Sequence, residues 1–598
     1  MNVIGVSSGD GKLLWQKKKV TNNPNALFLD GNVIVGVGPQ GKHVALNPVT
    51  GEAVEYLGFQ KVSCTRLTAS TDSLFVRGEG MLRYDRKSKE VMIDGAVRPA
   101  CNDGVIPANG LLYLGPWACD CNLSLIGNVA RCSAGEFRFD YEAKIDERLE
   151  RHREELAPDP LTVTAKDWPT YRGNVQRSAG SAVKLRGGHR EHWRAKPPRP
   201  FVPSEATAAG GLVFFGGDDG KVRALVAANG NPRWSYQSGG VVKYPPTIAE
   251  GRAYFGSGDG WAYCLDAKTG KLLWRFRASP VERHIMIYGA LSSTWPVNTG
   301  VLVHEGVAYF AAGIVDHDGT YVYALEAKTG AIVWQNNSSG HLNKELRKGV
   351  SAQGNLTILG DRLLLAGGNV VSPASFDLKT GKCLDEPRPQ GQPQNNGGKF
   401  VGAFHKDFAI AGGRILYSSP RNVSTKGSFA VWSPGRRSQT LSFGGIPPAW
   451  NEATLAVADS KYSPVFAIDR AKLLDGLAGA LEKPNAPRNR FGGNIVKSMK
   501  TRAEERWRSK LGDSGKFEAV SLAVTPNAVV AVAKFQDQYR AKPAWTLLSL
   551  AAEDGKVLTS QELKGEPLPG GLLVDRDGQV IVTLLDGSTV CFAAPKGE

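Results

Sequence analysis

Three stretches decide how this chain folds. Ala262–Trp274 reads AYCLDAKTGKLLW, Val322–Trp334 reads VYALEAKTGAIVW and Val222–Trp234 reads VRALVAANGNPRW. In each, an apolar/polar alternation makes one strand. A Lys-Thr-Gly or Ala-Asn-Gly step then supplies the positive φ that a tight hairpin needs. A second apolar strand follows and ends in Trp. Weaker copies stand at 3–15, 44–56, 374–386 and 547–559. Two further short strands precede a copy, as in GGLVFFGGDDGKVRALV (210–226) and GRAYFGSGDGWAYCLD (251–266). Four short strands repeated every roughly 40–50 residues describe a β-propeller blade, and a closed ring of blades leaves few sheet edges to aggregate.

Composition narrows the class. The 598 residues exceed one ordinary domain. No apolar run reaches the roughly 18 residues of a membrane-spanning helix, and 42% hydrophobic with 22% charged residues excludes a disordered chain. The net charge is +16; residues 1–166 are balanced, so the excess lies in 167–598. Such a field attracts anions, among them acidic polysaccharide, membrane headgroups and nucleic acid. With no recognition-helix motif or aromatic RNA platform, no specific nucleic acid is expected. The opening MNVIGVSSGDGKLLW lacks the basic and apolar regions of a signal peptide and reads as the tail of a repeat, so a truncated N-terminus is expected.

The segments Asp266-Ala-Lys-Thr-Gly270 with Trp274, and Glu326-Ala-Lys-Thr-Gly330 with Trp334, resemble the tryptophan-docking repeat of the PQQ-like (quinoprotein-alcohol-dehydrogenase-like) β-propellers. More narrowly, Asp167-Trp-Pro-Thr-Tyr-Arg-Gly-Asn174, RHIMIYGALSSTWPVNTGVLV (283–303) and Ala108-Asn-Gly-Leu-Leu-Tyr113 with Cys119-Asp-Cys121 are similar to segments of such propellers in planctomycete-type secreted proteins. The resemblance implies an all-β fold: an eight-bladed propeller of four-stranded antiparallel blades, with additional N-terminal blade-like units and short helical inserts.

The expected domains are 1–140, blade-like units of a partial propeller with a cysteine cluster; 141–166, a helical linker; and 167–598, the propeller. YEAKIDERLERHREEL (141–156) reads as a charged helix in which Glu147 and Arg151 can pair. A second helix is expected at Arg470–Glu482, followed by a basic surface arm running to Lys510. The last repeat, 572–594, needs a closing strand. If the N-terminal units do not form their own partial ring, Met1–Trp15 offers one.

Thr-Gly turns join third to fourth strands, so they share one face. The loops between blades and from second to third strand lie on the other face. These loops are long in consecutive repeats, and long loops grouped on a rigid scaffold are where sites form. They carry the candidate catalytic residues His284, Tyr288, His317, His341 and His405, able to act as acid or base. They also carry Arg283, Trp295, Lys344, Arg347, Lys399, Arg421 and Asn422 as candidate binders of an anionic sugar, by stacking and by Arg/Lys pairing with carboxylate or sulfate. Asp316-His317-Asp318 is too short to read as a metal site.

Eight cysteines are present, with no CxxC and no adjacent pair. Cys64, Cys101, Cys119 and Cys121 read as two disulfides of an exported protein, with a thiolate metal site as the rival. Cys264, Cys383 and Cys591 read as small buried hydrophobes. The family's dehydrogenases hold PQQ with a vicinal Cys-Cys ring and Ca²⁺ on acidic and amide groups; this chain lacks the pair, so no cofactor is expected. The leading expectation is an exported, periplasmic or extracellular scaffold that binds or assembles without quinone, its partner an anionic polysaccharide or an outer-membrane or periplasmic protein. The alternatives are a lyase or glycosidase on acidic polysaccharide and a PQQ-dependent dehydrogenase.

Overall fold

The computed structural model describes the chain except residues 22–25, 37–41, 61–64, 78–80, 95–98, 100–103, 116–128, 133–144, 153–159, 288–289, 344–348, 368–370, 387–397, 414–426, 435–437, 459–464, 482–504, 510–515, 537–542 and 596–598. The chain divides into two compact units, Met1–Phe139 with Met286–Ala290, and Asp140–Ile285 with Leu291–Glu598. Both are built almost wholly of antiparallel strands.

In the larger unit, the meander Pro203–Ala209, Leu212–Gly217, Lys221–Val226 and Pro232–Gln237 sets the pattern. Its sequels run over 247–277, 302–336, 356–377, 400–445, 449–508 and 516–562. Their second strands, such as Leu212–Gly217 and Arg252–Gly256, are buried on both faces. They therefore read as continuous apolar or small-residue runs, where a half-exposed strand alternates. The last sheet takes Pro567–Val574, Val580–Leu584 and Thr589–Ala593 from the C-terminal end. Its fourth strand is Arg190–Ala195, antiparallel to Thr589–Ala593. This is the β-propeller that the repeats predict.

The tryptophans show why the sheets stay side by side. The Trp234 indole donates to the Ala267 carbonyl at 3.0 Å, Trp274 to Ala327 at 3.1 Å and Trp334 to Leu378 at 3.0 Å. Each acceptor belongs to the next sheet. Each indole also lies on the hairpin glycine of that sheet, Gly270, Gly330 and Gly381 respectively. Trp193, on the closing strand, makes the same contact with Ala227 and Gly230 of the first sheet, and Trp507 with Ala552 and Gly555. Asp266 braces its turn by accepting from the backbone N–H of Lys268 and Thr269 and from the Thr269 hydroxyl at 2.7–3.0 Å. The motif is thus half of a lock, and each sheet supplies the tryptophan for its neighbour's turn.

The smaller unit repeats this chemistry. Its sheets are the hairpin Val3–Val6 with Leu13–Lys17, two four-stranded meanders over 27–60 and 68–94, and a three-stranded one over 105–131. Trp15 donates to Pro48 at 2.8 Å over Gly51.

Three expectations change. Met1–Trp15 does not close the last sheet: Val3–Val6 pairs with Leu13–Lys17, and Arg190–Ala195 lies closer in the chain to the ring it seals. The charged helix over 141–156 is not formed where the chain is described. Ile145–Glu147 is a single 3-10 turn and Leu149–Arg151 is a strand paired with Leu272–Arg277. Sheet edge and side-chain anchoring outweigh helix propensity here. The Arg148 guanidinium is buried, donates to the Arg277 and Ala278 carbonyls at 2.9 and 3.1 Å and to the Tyr323 hydroxyl, and lies 5.0 Å from the Phe276 ring. Glu150 pairs with Arg275 and the Arg151 guanidinium donates to the Thr329 carbonyl, so the expected Glu147–Arg151 pair gives way. The cysteines expected to bridge lie outside the described residues. Cys264 and Cys591 are buried and Cys383 half-buried; burial pushes the Cys383 thiol up to about 11. The helix at Arg470–Leu481 forms where it was expected.

Gly270→Ala tests the lock. Its φ is +74°, and a Cβ would come within 2.7 Å of the Trp234 ring. Gly110 has the same φ and open space around it. Gly110→Ala is expected to cost about 1–2 kcal/mol of backbone strain, and Gly270→Ala clearly more. Trp274→Ala, at a fully buried site, is expected to cost about 3–5 kcal/mol. Denaturant midpoints of the three variants check the order.

Candidate functional site

One short segment reveals the axis of the larger unit. Between Asp167 and Leu185 the chain meets the first strands of six sheets. Trp168 bridges Ala208, and the Ile248 N–H donates to the Pro169 carbonyl at 2.7 Å. The Thr357 hydroxyl reaches the Val175 carbonyl at 2.7 Å and the Ala403 N–H that of Gln176 at 3.0 Å. The N–H groups of Trp450 and Val524 donate to Ser178 and Ala179 at 2.8 and 2.9 Å. A segment this short can touch six first strands only where they converge on a common channel. The contacts fall near the ends of those strands, just before the first-to-second hairpin turns. The segment therefore plugs the channel on the turn face, opposite the long loops.

Two arginines hold the plug. Arg177 donates to the Leu356 carbonyl at 2.8 Å and to the Thr170 hydroxyl at 2.7 Å. Arg172 donates to the Arg177 carbonyl at 3.0 Å and to the Pro448 carbonyl, and lies 5.0 Å from the Phe400 ring. Their hydrogen bonds go to neutral carbonyls and a hydroxyl, and the Glu205 carboxylate acts on Arg172 from nearby. Burial lowers both, Arg177 to about 10.

On the plug stand the side chains of the channel wall. Glu205 comes from Pro203–Ala209, Lys243 and Tyr244 from the turn into Thr247–Ala249, and Lys399 from the approach to Phe400–His405. Tyr171 of the plug meets Tyr244 edge to face at 5.0 Å. A cavity lies among Tyr171, Arg172, Glu205, Ser521 and Gly570. Gly570 keeps it open, since a Cβ there would sit 3.2 Å from the Glu205 carboxylate. Desolvation pushes Glu205 up to about 7, against the pull of Arg172 and Lys399. It also lowers Lys399, and Lys399 pushes the Lys243 ammonium down. Lys243 is solvent-exposed. The cavity itself takes one basic side chain, Arg172, and one carboxylate, Glu205, with Lys399 close enough to act on that carboxylate.

Of the predicted site residues that are described, Lys399 stands beside this cavity, while Arg283, Trp295 and His341 gather near Asp316–Asp318. Trp295 is fully buried, its indole donating to the Asp318 carbonyl at 2.6 Å, so its ring has no free face for a sugar. Arg283 lies 5.8 Å from that ring. His284 is exposed at the start of His284–Ile287, and His341 ends a 3-10 turn packed on Asp316–Asp318. The Asp316 carboxylate accepts from the Gly349 N–H at 3.1 Å and so closes a loop. His405 is exposed beside the turn at Lys406-Asp407, on the face opposite the long loops and about 20 Å along its strand from Lys399. It was grouped with the loops because the strand boundary falls after it. Tyr288, Lys344, Arg347, Arg421, Asn422 and the His317 side chain lie outside the described residues. Sequence reading missed Tyr171, Arg172, Arg177, Glu205, Lys243 and Tyr244. Only the Trp168-Pro-Thr-Tyr-Arg-Gly173 stretch signalled two of them, by being unusual outside any blade pattern.

The family profile described as outer membrane protein assembly factor BamB matches residues 181–294 and 238–472. Over those residues the chain is similar to the PQQ-like β-propeller family. Similar solved structures include a quinohemoprotein alcohol dehydrogenase from Pseudomonas putida HK5, at 13% identity and TM-score 0.46 over 73% of this chain and 81% of that one. Another is the quinohemoprotein alcohol dehydrogenase of Comamonas testosteroni, at 13% identity and TM-score 0.47 over 72% and 81%. BamB from Moraxella catarrhalis aligns at 12% identity and TM-score 0.29 over 70% and 99%. No curated protein matches the chain significantly.

The PQQ-like propeller invites a fit test for the quinone and Ca²⁺ that the resemblance implies. The residues do not fit. A calcium site needs several oxygen ligands with carboxylates among them. Here Glu205 is the one carboxylate lining the cavity, beside Arg172, Tyr171, Ser521 and apolar side chains, and among the described residues no cluster of three or more His, Cys, Asp or Glu forms.

Glu205 also links the cavity to stability. Its folded pKa is raised above the ordinary carboxyl value, so between about pH 4.5 and pH 7 the folded state holds the extra proton. Stability from this group is therefore greatest at low pH and falls as pH rises through about 7. Asp575, pushed up to about 6 by burial, acts in the same direction. Glu205→Gln is expected to stabilise the protein at pH 8 and to change little at pH 4. Tm measured against pH for both proteins checks the sign.

Proposed function

We propose that this PQQ-like propeller is an exported binding and assembly scaffold whose partner is an outer-membrane or periplasmic protein, and that it works without bound quinone. The observation that carries this reading is the channel itself: its cavity offers one carboxylate where a calcium-held quinone calls for several acidic and amide oxygens. The matching family profile, named for an outer-membrane assembly factor, supports the same direction. So does the Trp-on-Gly locking, because a rigid ring lets loops present a fixed surface without ordering a large interface on binding. The polysaccharide-enzyme reading draws no support from the described candidates, since Trp295 is sealed and His405 lies on the other face.

Two measurements test the proposal. Purified chain incubated with PQQ and Ca²⁺ is expected to pass gel filtration free of quinone absorbance and to show no alcohol-dependent dye reduction. Capture of one quinone per chain with turnover would return the dehydrogenase. In cells, a photo-cross-linking residue at Glu282, exposed on the long-loop face, is expected to trap an envelope protein, and one at His405 is not. Equal trapping from both faces, or recovery of the chain outside the envelope fraction, counts against a scaffold with a defined binding face.

A further inference from the structure

We propose that the segment sealing the ring, Lys184–Arg199, is a docking track for a linear acidic polysaccharide, sulfated or uronate, held by charge. The inference goes beyond the scaffold reading and does not depend on it. The segment reads KLRGGHREHWRAKPPR and carries six Lys or Arg against one carboxylate, Glu191. Glu191 is taken by Arg194, whose guanidinium donates to it at 2.9 and 2.8 Å. The other five cations, Lys184, Arg186, Arg190, Lys196 and Arg199, are exposed and make no ion pair among the described residues. Lys564 joins them. Arg194 donates to its carbonyl at 2.8 Å, and after Arg194 both Lys564 and Lys196 hold the Glu191 carboxyl low. Carboxylates of the adjoining turns are engaged: Asp577 acts on Arg576, and Asp586 accepts from the Ser588 N–H at 2.9 Å. Glu562 and Glu566, exposed on either side of Lys564, bound the track at that end.

The fold sets these charges in a line around the edge of the ring. Leu185 is tied to Asn527 in both directions at 2.9 Å, at a first-to-second turn, and the His189 ring to the Gly578 carbonyl at 2.9 Å, at another. Both turns lie on the turn face. Arg190–Ala195 is then the outermost strand of the last sheet, with Thr589–Ala593 as its one neighbour there. It runs from the turn face to the loop face, and the chain crosses that face to Pro203. Lys184 and Arg186 thus stand on one face of the ring, Arg190 at its rim, and Lys196 and Arg199 on the other face.

This shape selects the ligand. A flat membrane surface meets one face or the rim, never all three, whereas a thread follows the track around the edge. Single-stranded nucleic acid is held largely by aromatic platforms under its bases, and Trp193, the one Trp, Tyr or Phe of the track, is spent on Gly230. A polysaccharide with a sulfate or carboxylate at each repeat needs no platform, since Arg and Lys meet those groups directly, as in basic runs that bind heparin-like chains. The track is also prepared for such a chain. Gly187 and Gly188 are exposed, their N–H groups bond to nothing among the described residues, and a Cβ at Gly187 would meet nothing within 4 Å. An anionic group therefore reaches bare backbone between Arg186 and Arg190. Pro197, Pro198 and Pro200 restrict the backbone around Lys196 and Arg199, so less freedom is lost on binding.

Isothermal titration of the full chain with chondroitin sulfate and, separately, with polygalacturonate tests this. Saturable binding is expected for at least one of them and none for neutral dextran. Raising salt from about 50 to about 200 mM is expected to weaken it at least about tenfold, because binding releases the polymer's counterions. The fourfold variant Arg186→Gln, Arg190→Gln, Lys196→Gln and Arg199→Gln is expected to bind at least about tenfold more weakly at unchanged Tm, since none of the four side chains is paired within the fold. A control with the same change of net charge, Lys271→Gln, Lys328→Gln, Lys379→Gln and Lys382→Gln, alters exposed lysines of other sheets and is expected to stay within about threefold of the parent. Equal weakening in the two variants, or no saturable binding of either acidic polymer, overturns the proposal. Tighter binding of single-stranded DNA or of anionic phospholipid vesicles than of both polysaccharides, lost in the track variant, also overturns it and assigns the surface to that partner. Each of these results leaves the protein-scaffold reading standing, because the cross-linking at Glu282 reads a different surface.

Discussion

Everything in the larger unit depends on an indole laid over a neighbour's hairpin glycine. The contact is a steric demand in both directions. The turn must have φ near +70° and no Cβ, and the strand before it must end in a ring wide enough to cover the bare backbone. The hydrogen bond from indole nitrogen to the carbonyl beyond the turn fixes the rotation of one sheet against the next. Where the rhythm lapses, other chemistry takes over. Thr559 and Asp385 stand four residues after Gly555 and Gly381, where Trp274 stands after Gly270. Asp385 instead accepts from the Ser375 N–H at 2.5 Å, and around Thr559 a continuous apolar core spans the closing sheets.

The same constraint explains how the ring shuts. Arg190–Ala195 completes the last sheet and at the same time sends Trp193 onto Gly230 of the first. One strand therefore satisfies an open edge and a turn at once. It also leaves the segment just before it, 167–185, positioned at the turn face where the channel opens. The plug then supplies backbone partners to first strands that would otherwise end in an open hole. Ring closure and the channel floor thus share one stretch of chain, which makes the plug a consequence of how this propeller is sealed.

Charge around the plug shows how a stable fold tolerates local cost. Arg172 and Arg177 are buried among carbonyls and rings, and their desolvation is repaid by fixed hydrogen bonds that also hold the plug. Glu205, Lys243 and Lys399 have less support, and their shifted titration records it. Sites whose groups are held away from their ordinary ionisation are common where proteins bind or react. The long loops, by contrast, use Asp316 and Trp295 to close on themselves.

What the sequence determined by itself was the repeating element: strand alternation and the Gly-to-Trp interval are local, and each survives in a window of thirteen residues. The helix at Arg470–Leu481 was legible for the same reason. Residues 149–151 were misread because Arg148 finds its partners across a sheet edge, beyond anything a local pattern encodes. Only the tertiary structure could bring Tyr171, Glu205, Lys243 and Lys399 to one axis. They come from the plug and from three separate sheets, none shares a spacing with another, and convergence of strands in a ring leaves no trace in the order of residues along the chain.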